Sequence, residues 1–160
     1  MVSYDNFLTE DECDYIINYT KKSDSILNVT PNRNLEFYHI NDYSDFKFLE
    51  EKLNKINIIN KPVFNINKYT KGYFFLPHID KGGKNDPNEE RIKTIIINLS
   101  DTNNYSGGDL YVDGNIVSNK KGMAILFDSS IIHEVTEITE GFRYSIAMWL
   151  KKNNIKESLL

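Results

Sequence analysis

Disulfide chemistry is the first thing this chain lacks. Its one cysteine, Cys13, has no internal partner in 160 residues. A disulfide-stapled secreted scaffold is therefore excluded, and a reducing, cytoplasmic setting is the expectation. No leader is expected either. Residues Met1 to Cys13 carry Asp5, Glu10, Asp11 and Glu12, where a secretory signal would place a basic end and an apolar stretch. No apolar run approaches the roughly 18 residues of a membrane span, so no membrane partner is expected. Repeats, low-complexity tracts and linkers are absent as well. Positive charge is not in excess: the formal net charge is -4 and the pI about 5.4. That balance argues against a phosphate-neutralising surface and against nucleic acid as a partner. What remains is 40% hydrophobic and 26% charged residues, the composition of a globular chain long enough to bury a core. One domain over residues 1–160 is expected, with a helical support over about 1–60 and a β core over about 63–150.

Two helices are predicted in the first third. Thr9 followed by Glu12 makes a capping box, each side chain satisfying a backbone N–H at the helix start. Cys13, Ile16, Ile17 and Thr20 recur behind it at helical spacing. After Ser44, the positions Phe46, Leu49, Leu53 and Ile56 form a second apolar stripe. From Val63 the pattern changes to short β-branched and aromatic runs between Gly, Asn and Asp. Strands are predicted over 63–69, 73–80, 94–99, 110–112, 115–117, 123–127, 131–138 and 142–150. The run Thr94 to Leu99 is apolar on both faces and is expected to be central. Asp113-Gly114 supplies the positive φ angles of a tight hairpin turn. The fold class expected is mainly β with N-terminal helices that brace the outside of one sheet, a sandwich or jelly roll.

Chemistry concentrates at His78-Ile79-Asp80. On a strand, residues i and i+2 share a face, so an imidazole and a carboxylate can reach one point. His133 lies in a separate strand candidate. Two histidines and a carboxylate are the facial ligand set of non-haem iron(II) oxygenases, which leaves coordination positions open. A lone His-x-Asp is weak by itself. Arg143 strengthens it. The turn at Glu140-Gly141 is expected to form a hairpin that returns Arg143 beside His133. Arg143, Ser145, Ala147 and Trp149 then share one face, and Tyr144, Ile146, Met148 and Leu150 the apolar other. Alone, Arg143 would read as a surface residue or a salt-bridge partner. In company with His78, Asp80 and His133, a buried arginine calls for an anion. The distal carboxylate of 2-oxoglutarate suits a guanidinium fork.

The ordered set Tyr69-Thr-Lys-Gly72, His78-Ile-Asp80, Arg91-x-x-Thr94, Asn98-Leu-Ser, Gly107-Gly108-Asp-Leu, His133-Glu-Val and Gly141-x-Arg143-x-Ser145 resembles the prolyl 4-hydroxylase-like branch of the 2-oxoglutarate/Fe(II)-dependent oxygenases. It is most similar to the compact bacterial and phage-type hydroxylase domains. The resemblance covers roughly residues 63 to 150. It implies a double-stranded β-helix of the cupin-like jelly-roll kind. It also implies an enzyme, a dioxygenase with Fe(2+) held by His78, Asp80 and His133. The cosubstrates would be 2-oxoglutarate and O2, with ascorbate as an accessory reductant, and the co-products succinate and CO2. Arg143 would bind the cosubstrate carboxylate and Tyr69 would donate to it. Asn98 stands where relatives carry a Tyr or Gln facing 2-oxoglutarate, and is shorter than either. No catalytic residue beyond the metal site is implied.

The substrate implied is a prolyl residue in a peptide or protein. Another amino acid or small molecule stays open, as does a non-catalytic metal- or sugar-binding β-barrel module. The nucleic-acid demethylase branch carries a second arginine six residues after the first, where this chain has Trp149. Gly107-Gly108 is expected to permit a bulge or close chain approach. His39 reads as structural or surface. Asp128-Ser-Ser130 reads as a turn that aims the strand of His133. The Lys81–Arg91 loop reads either as a cover for the substrate or as a plain surface loop.

Overall fold

Thr9 opens the first helix as the sequence predicts: its hydroxyl accepts from the Glu12 N–H at 3.2 Å, and Glu12 accepts from the Thr9 N–H at 2.8 Å. The computed structural model describes residues 1–159. A short strand, β1 (Val2–Tyr4), precedes α1 (Glu10–Thr20). A hairpin of β2 (Ile26–Thr30) and β3 (Arg33–Ile40) follows, then α2 (Lys47–Lys55). These three strands were not foreseen in the helical support expected over about 1–60, which they share with the two predicted helices. In β3, Leu35 and Phe37 point to one side and Tyr38 and Ile40 to the other. That is strand periodicity, and it is as legible there as anywhere later in the chain.

The remaining strands are β4 (Phe64–Tyr69), β5 (Phe74–His78), β6 (Lys93–Asn98), β7 (Tyr105–Gly107), β8 (Leu110–Val112), β9 (Asn115–Ile116), β10 (Ala124–Asp128), β11 (His133–Val135), β12 (Ile138–Gly141) and β13 (Arg143–Leu150). Pairing runs β1-β10-β6-β13-β4-β3-β5-β11-β8-β9, with β2 on β3, while β12 pairs β7 separately. All these pairs are antiparallel. The sheet curls on itself into the jelly roll expected, and β6 is central between β10 and β13. Asp113 and Gly114 take φ of 52° and 71°, the double positive turn between β8 and β9.

Alternation along the central strands divides the interior in two. Ile95 and Ile97 of β6, Ala124 and Leu126 of β10, and Ile146, Met148 and Leu150 of β13 pack under the helices with Cys13, Ile16, Phe46, Leu49 and Leu53. Tyr69, Ile96, Ile125 and Phe127 instead face a second core inside the roll, against Leu110, Val112, Val135 and Ile138. The helices thus brace one sheet from outside. No described helix is long and apolar enough to cross a membrane.

Two local expectations are corrected. The single strand predicted over 131–138 is two strands, because Thr136 leaves the ladder. Its N–H donates to Asp109 O, and its hydroxyl accepts from the Asp109 N–H at 2.8 Å. The hairpin predicted between His133 and Arg143 does not exist. Glu140-Gly141 lies inside β12, and β11 pairs β5 and β8 rather than β13. Arg143 instead enters beside Tyr69, its register partner on β4.

Candidate metal and cosubstrate site

His78 ends β5 and His133 begins β11, and the two are direct register partners across the antiparallel ladder. A bulge follows immediately, where the register slips between His133 and Val135. Asp80 lies beyond the end of β5. Strand alternation therefore does not place it; a double anchor does. The Asp80 and Lys81 N–H groups both donate to Ser129 O at 2.9 Å. Ser129 belongs to the turn in which Asp128 accepts from the Ser130 N–H and hydroxyl. That turn aims the strand of His133, as the sequence suggests.

The three side chains converge. One ligand atom from each of His78, Asp80 and His133 lies within 4.8 Å of the others. His78 Nε2 is 3.7 Å from Asp80 Oδ1, and His133 Nε2 is 3.3 Å from Asp80 Oδ2. Each imidazole has its other nitrogen engaged: His78 Nδ1 lies 2.7 Å from Leu76 O and His133 Nδ1 3.0 Å from Ile131 O. A carbonyl only accepts, so Nδ1 carries the proton and the Nε2 lone pair of a neutral ring turns toward the carboxylate. Burial first, and the neighbouring His133 second, lower the His78 pKa to about 4, so this ring is neutral at pH 7. Lone pairs facing a carboxylate repel unless a cation sits between them. This donor set, with each ring tied through its second nitrogen, fits a metal ion. Phe75 stacks on His78 at 3.5 Å and 10°, and Phe127 meets His133 edge-on at 4.9 Å.

Asp80 stays ionised despite its burial. Burial alone would raise its pKa, but positive charge at His133, a proton or a metal ion in its place, and the Thr94 hydroxyl outweigh that and lower it. Thr94 donates to Asp80 Oδ2 at 2.7 Å and also meets the Ser129 hydroxyl at 3.0 Å.

The same cleft contains Tyr69, Thr94, Ile96, Arg143, Ser145, Ala147 and Trp149. Arg143 is 1% exposed. Among the described residues its side chain makes one long hydrogen bond, 3.4 Å from Nη1 to Ser145 Oγ, and Nε and Nη2 are buried without a partner. An unpartnered buried guanidinium is costly unless a ligand anion completes it. Its carbon lies 5.6 Å from the Tyr69 ring centroid. Burial pushes the Tyr69 phenol up to about 12, with Arg143 opposing, so it remains an O–H donor. The expected buried arginine is present, and its two orphan N–H groups fit the carboxylate of a dicarboxylic cosubstrate.

Asn98 is placed differently. Its amide nitrogen donates to the carbonyls of Ser100, at 2.8 Å, and Asn119, at 2.5 Å. Only Oδ1 is left unpartnered, and the residue does not line the cleft. Tyr105, which the sequence reading passed over, stands close to Arg143 and Asn98 with its own hydroxyl buried and unpartnered. A Cβ on Gly108 would lie 2.3 Å from Ile138 Cδ1 and 3.1 Å from Arg143 Cδ, and φ there is +66°. Gly107-Gly108 therefore permits the close approach expected of it. The sequence reading also missed Phe75 and Arg33; Arg33 lies in the strand it overlooked. His39 is exposed and holds Asn65 at 2.8 Å, as a structural surface histidine would.

Comparison with known proteins agrees with this geometry. The pattern of the 2OG-Fe(II) oxygenase superfamily matches residues 64–151, more than half of the chain. A PKHD-type hydroxylase of Caulobacter sp. (strain K31) is 34% identical over 113 residues, which are 64% of this chain and 49% of that protein. The chain thus spans about half the length of the curated relatives it matches. A Pseudomonas putida prolyl-4-hydroxylase superposes with TM-score 0.74 at 17% identity, covering 94% of this chain and 91% of that one. A prolyl hydroxylase of Trichoplax adhaerens, solved with a hypoxia inducible factor oxygen degradation domain peptide fragment, gives TM-score 0.73 at 18% identity, covering 95% and 83%. At these identities the structural likeness speaks for the fold.

Proposed function

The chain belongs to the 2OG-Fe(II) oxygenase superfamily, and from that premise we propose that it is an iron(II)- and 2-oxoglutarate-dependent dioxygenase that hydroxylates a prolyl residue in a peptide or protein. One observation carries the reading: a neutral-imidazole, carboxylate and imidazole set opens into the same cleft as a buried guanidinium with two orphan N–H groups. A sugar-binding or purely structural barrel has no use for that cation.

In this proposal His78, Asp80 and His133 hold iron(II). Arg143 and Tyr69 hold the far carboxylate of 2-oxoglutarate, one through its guanidinium fork and the other through its phenol. Asn98 supports this end indirectly, as a neighbour of Tyr105. When bound, iron(II) and 2-oxoglutarate supply the activation of dioxygen and the oxidation of an unactivated C–H bond, with succinate and CO2 as co-products. The chain's own work is positioning. Thr94 fixes one oxygen of Asp80, the carbonyls of Leu76 and Ile131 fix the rings, and Phe75 and Trp149 wall the cleft against water. Residues 1–60 act as support and 63–150 as the catalytic core of one domain. A prolyl residue in a peptide is favoured by the prolyl hydroxylases among the structural neighbours and by the peptide fragment solved with the Trichoplax enzyme.

The test is spectroscopic first. Anaerobic iron(II) and 2-oxoglutarate should give a weak visible charge-transfer band, and Arg143→Ala should raise the 2-oxoglutarate concentration needed for it while metal binding persists. Succinate release on a panel of proline-containing and proline-free peptides then tests the substrate. An unchanged 2-oxoglutarate titration in Arg143→Ala overturns the cosubstrate assignment.

A further inference from the structure

The chain has three arginines, Arg33, Arg91 and Arg143, and all three stand at this one site. Among the described residues, every cation paired with a carboxylate, the site histidines aside, is a lysine: Lys52, Lys61, Lys68, Lys93, Lys121 and Lys151. Among the described residues no arginine has such a partner within 4.0 Å, in a chain with 23 acidic residues. Arg143 is accounted for above. Arg33 and Arg91 are not.

Both line a second cleft of about 360 Å³ that opens from Asp80, Phe75 and Trp149 toward solvent, a size within the range ligand sites take. Each guanidinium lies over an aromatic wall of the site. Arg91 lies 4.2 Å over the Trp149 ring, and Arg33 lies 5.3 Å over Phe75, the ring that stacks on His78. Each is steadied by a neutral oxygen only: Arg33 Nε donates to Asn28 Oδ1 at 3.1 Å, and Arg91 Nη1 to the main-chain oxygen of Asp80 at 3.4 Å. The charges are close enough to act on each other. Burial first lowers the Arg91 pKa, Asp80 and Asp86 oppose that through space, and Arg33 lowers it again by a smaller amount. Asn65, Asn67 and Asn88 supply uncharged hydrogen-bonding groups to the same cleft. Two like-charged forks with no directly paired carboxylate are a poor structural device and a good anion receptor.

We propose that Arg33 and Arg91 form an anion-binding pair at the mouth of the site, and that the substrate carries a carboxylate near the carbon to be oxidised. This deepens the oxygenase reading and rests on it. The carboxylate has two possible sources, the α-carboxylate of a free amino acid or an acidic side chain in a peptide.

Trp149 is the one tryptophan of the chain, and it lies under Arg91. Its fluorescence therefore reports occupancy of the cleft without turnover. The anaerobic protein loaded with iron(II) and 2-oxoglutarate is titrated with L-proline against L-prolinamide, and with N-acetyl-Ala-Pro-Glu-amide against N-acetyl-Ala-Pro-Gln-amide. In one of the two pairs the carboxylate probe should bind about 10-fold tighter than its neutral partner, a difference of about 1.4 kcal/mol. The pair that shows the preference identifies the source. Arg33→Gln should abolish the preference, Lys84→Gln should keep it, and raised salt should shrink it in the unaltered protein. Equal binding within both pairs, or a preference that survives both Arg33→Gln and high salt, overturns the inference. In that case an intact 2-oxoglutarate charge-transfer band leaves the oxygenase reading standing. Loss of the band itself would fell that reading first.

Discussion

The two faces of β13 are made of alternating residues and obey opposite rules. Ile146, Met148 and Leu150 lie in the core under the helices, fully buried and wholly apolar. Arg143, Ser145, Ala147 and Trp149 line the cleft, where one charge and several polar atoms are buried with too few partners. One face is built for stability. The other accepts instability in the free protein so that a ligand can complete it.

The largest expected effect is on the cleft face. Asp80→Ala should abolish the iron- and 2-oxoglutarate-dependent visible band at every 2-oxoglutarate concentration, because it removes the proposed anionic ligand and one of the two partners of Thr94. On the helix face, Ile146→Ala should cost about 2–5 kcal/mol of unfolding free energy by denaturant titration, while the 2-oxoglutarate affinity of the folded fraction stays unchanged.

Acid should separate the faces next. The His78 pKa is lowered to about 4 in the folded chain, against 6.5 as its ordinary value. The unfolded chain therefore takes the proton first. The stability that this ring contributes is complete above pH 6.5 and is lost as pH falls from 6.5 toward 4. Thermal unfolding of chelator-treated protein should show that loss, on the order of a few kcal/mol in all, and His78→Gln should flatten the dependence. Arg143→Leu should have the opposite sign to Ile146→Ala. It removes an uncompensated buried charge and should stabilise the ligand-free chain by roughly 1–4 kcal/mol while weakening 2-oxoglutarate binding. A destabilised Arg143→Leu would break the contrast between the two faces. The smallest effect is remote from both: Thr9→Ala should cost about 1 kcal/mol through the lost cap, with no change at the site.

Much of this was legible in the sequence, for particular reasons. The stripes of α1 and α2, the Asp113-Gly114 turn and the two faces of β13 are local periodicities, and local rules suffice for them. His78, Asp80, His133 and Arg143 could be singled out because few residue types suit the chemistry proposed, and the structure brings them to one cleft. The route that joins them was not legible. Arg143 reaches the cleft by pairing with Tyr69 on β4, a contact remote in sequence, whereas the nearest turn suggested a hairpin with His133. Asp80 is placed by hydrogen bonds to Ser129 and not by alternation. Arg33 was missed with its strand, since the β2–β3 hairpin sits between two helices and joins the rest of the sheet only through β4 and β5 further along the chain. Asn98 occupies a predicted inward position, yet nearby carbonyls take its amide nitrogen.

The latch on each imidazole has an evolutionary consequence. Both rings are held by carbonyls of the residue two positions earlier, Leu76 and Ile131. Every amino acid offers that same oxygen, so the identity of those neighbours is free to drift without turning the rings. The outer face of this lineage can thus be rewritten for new customers while the machinery behind it keeps its aim.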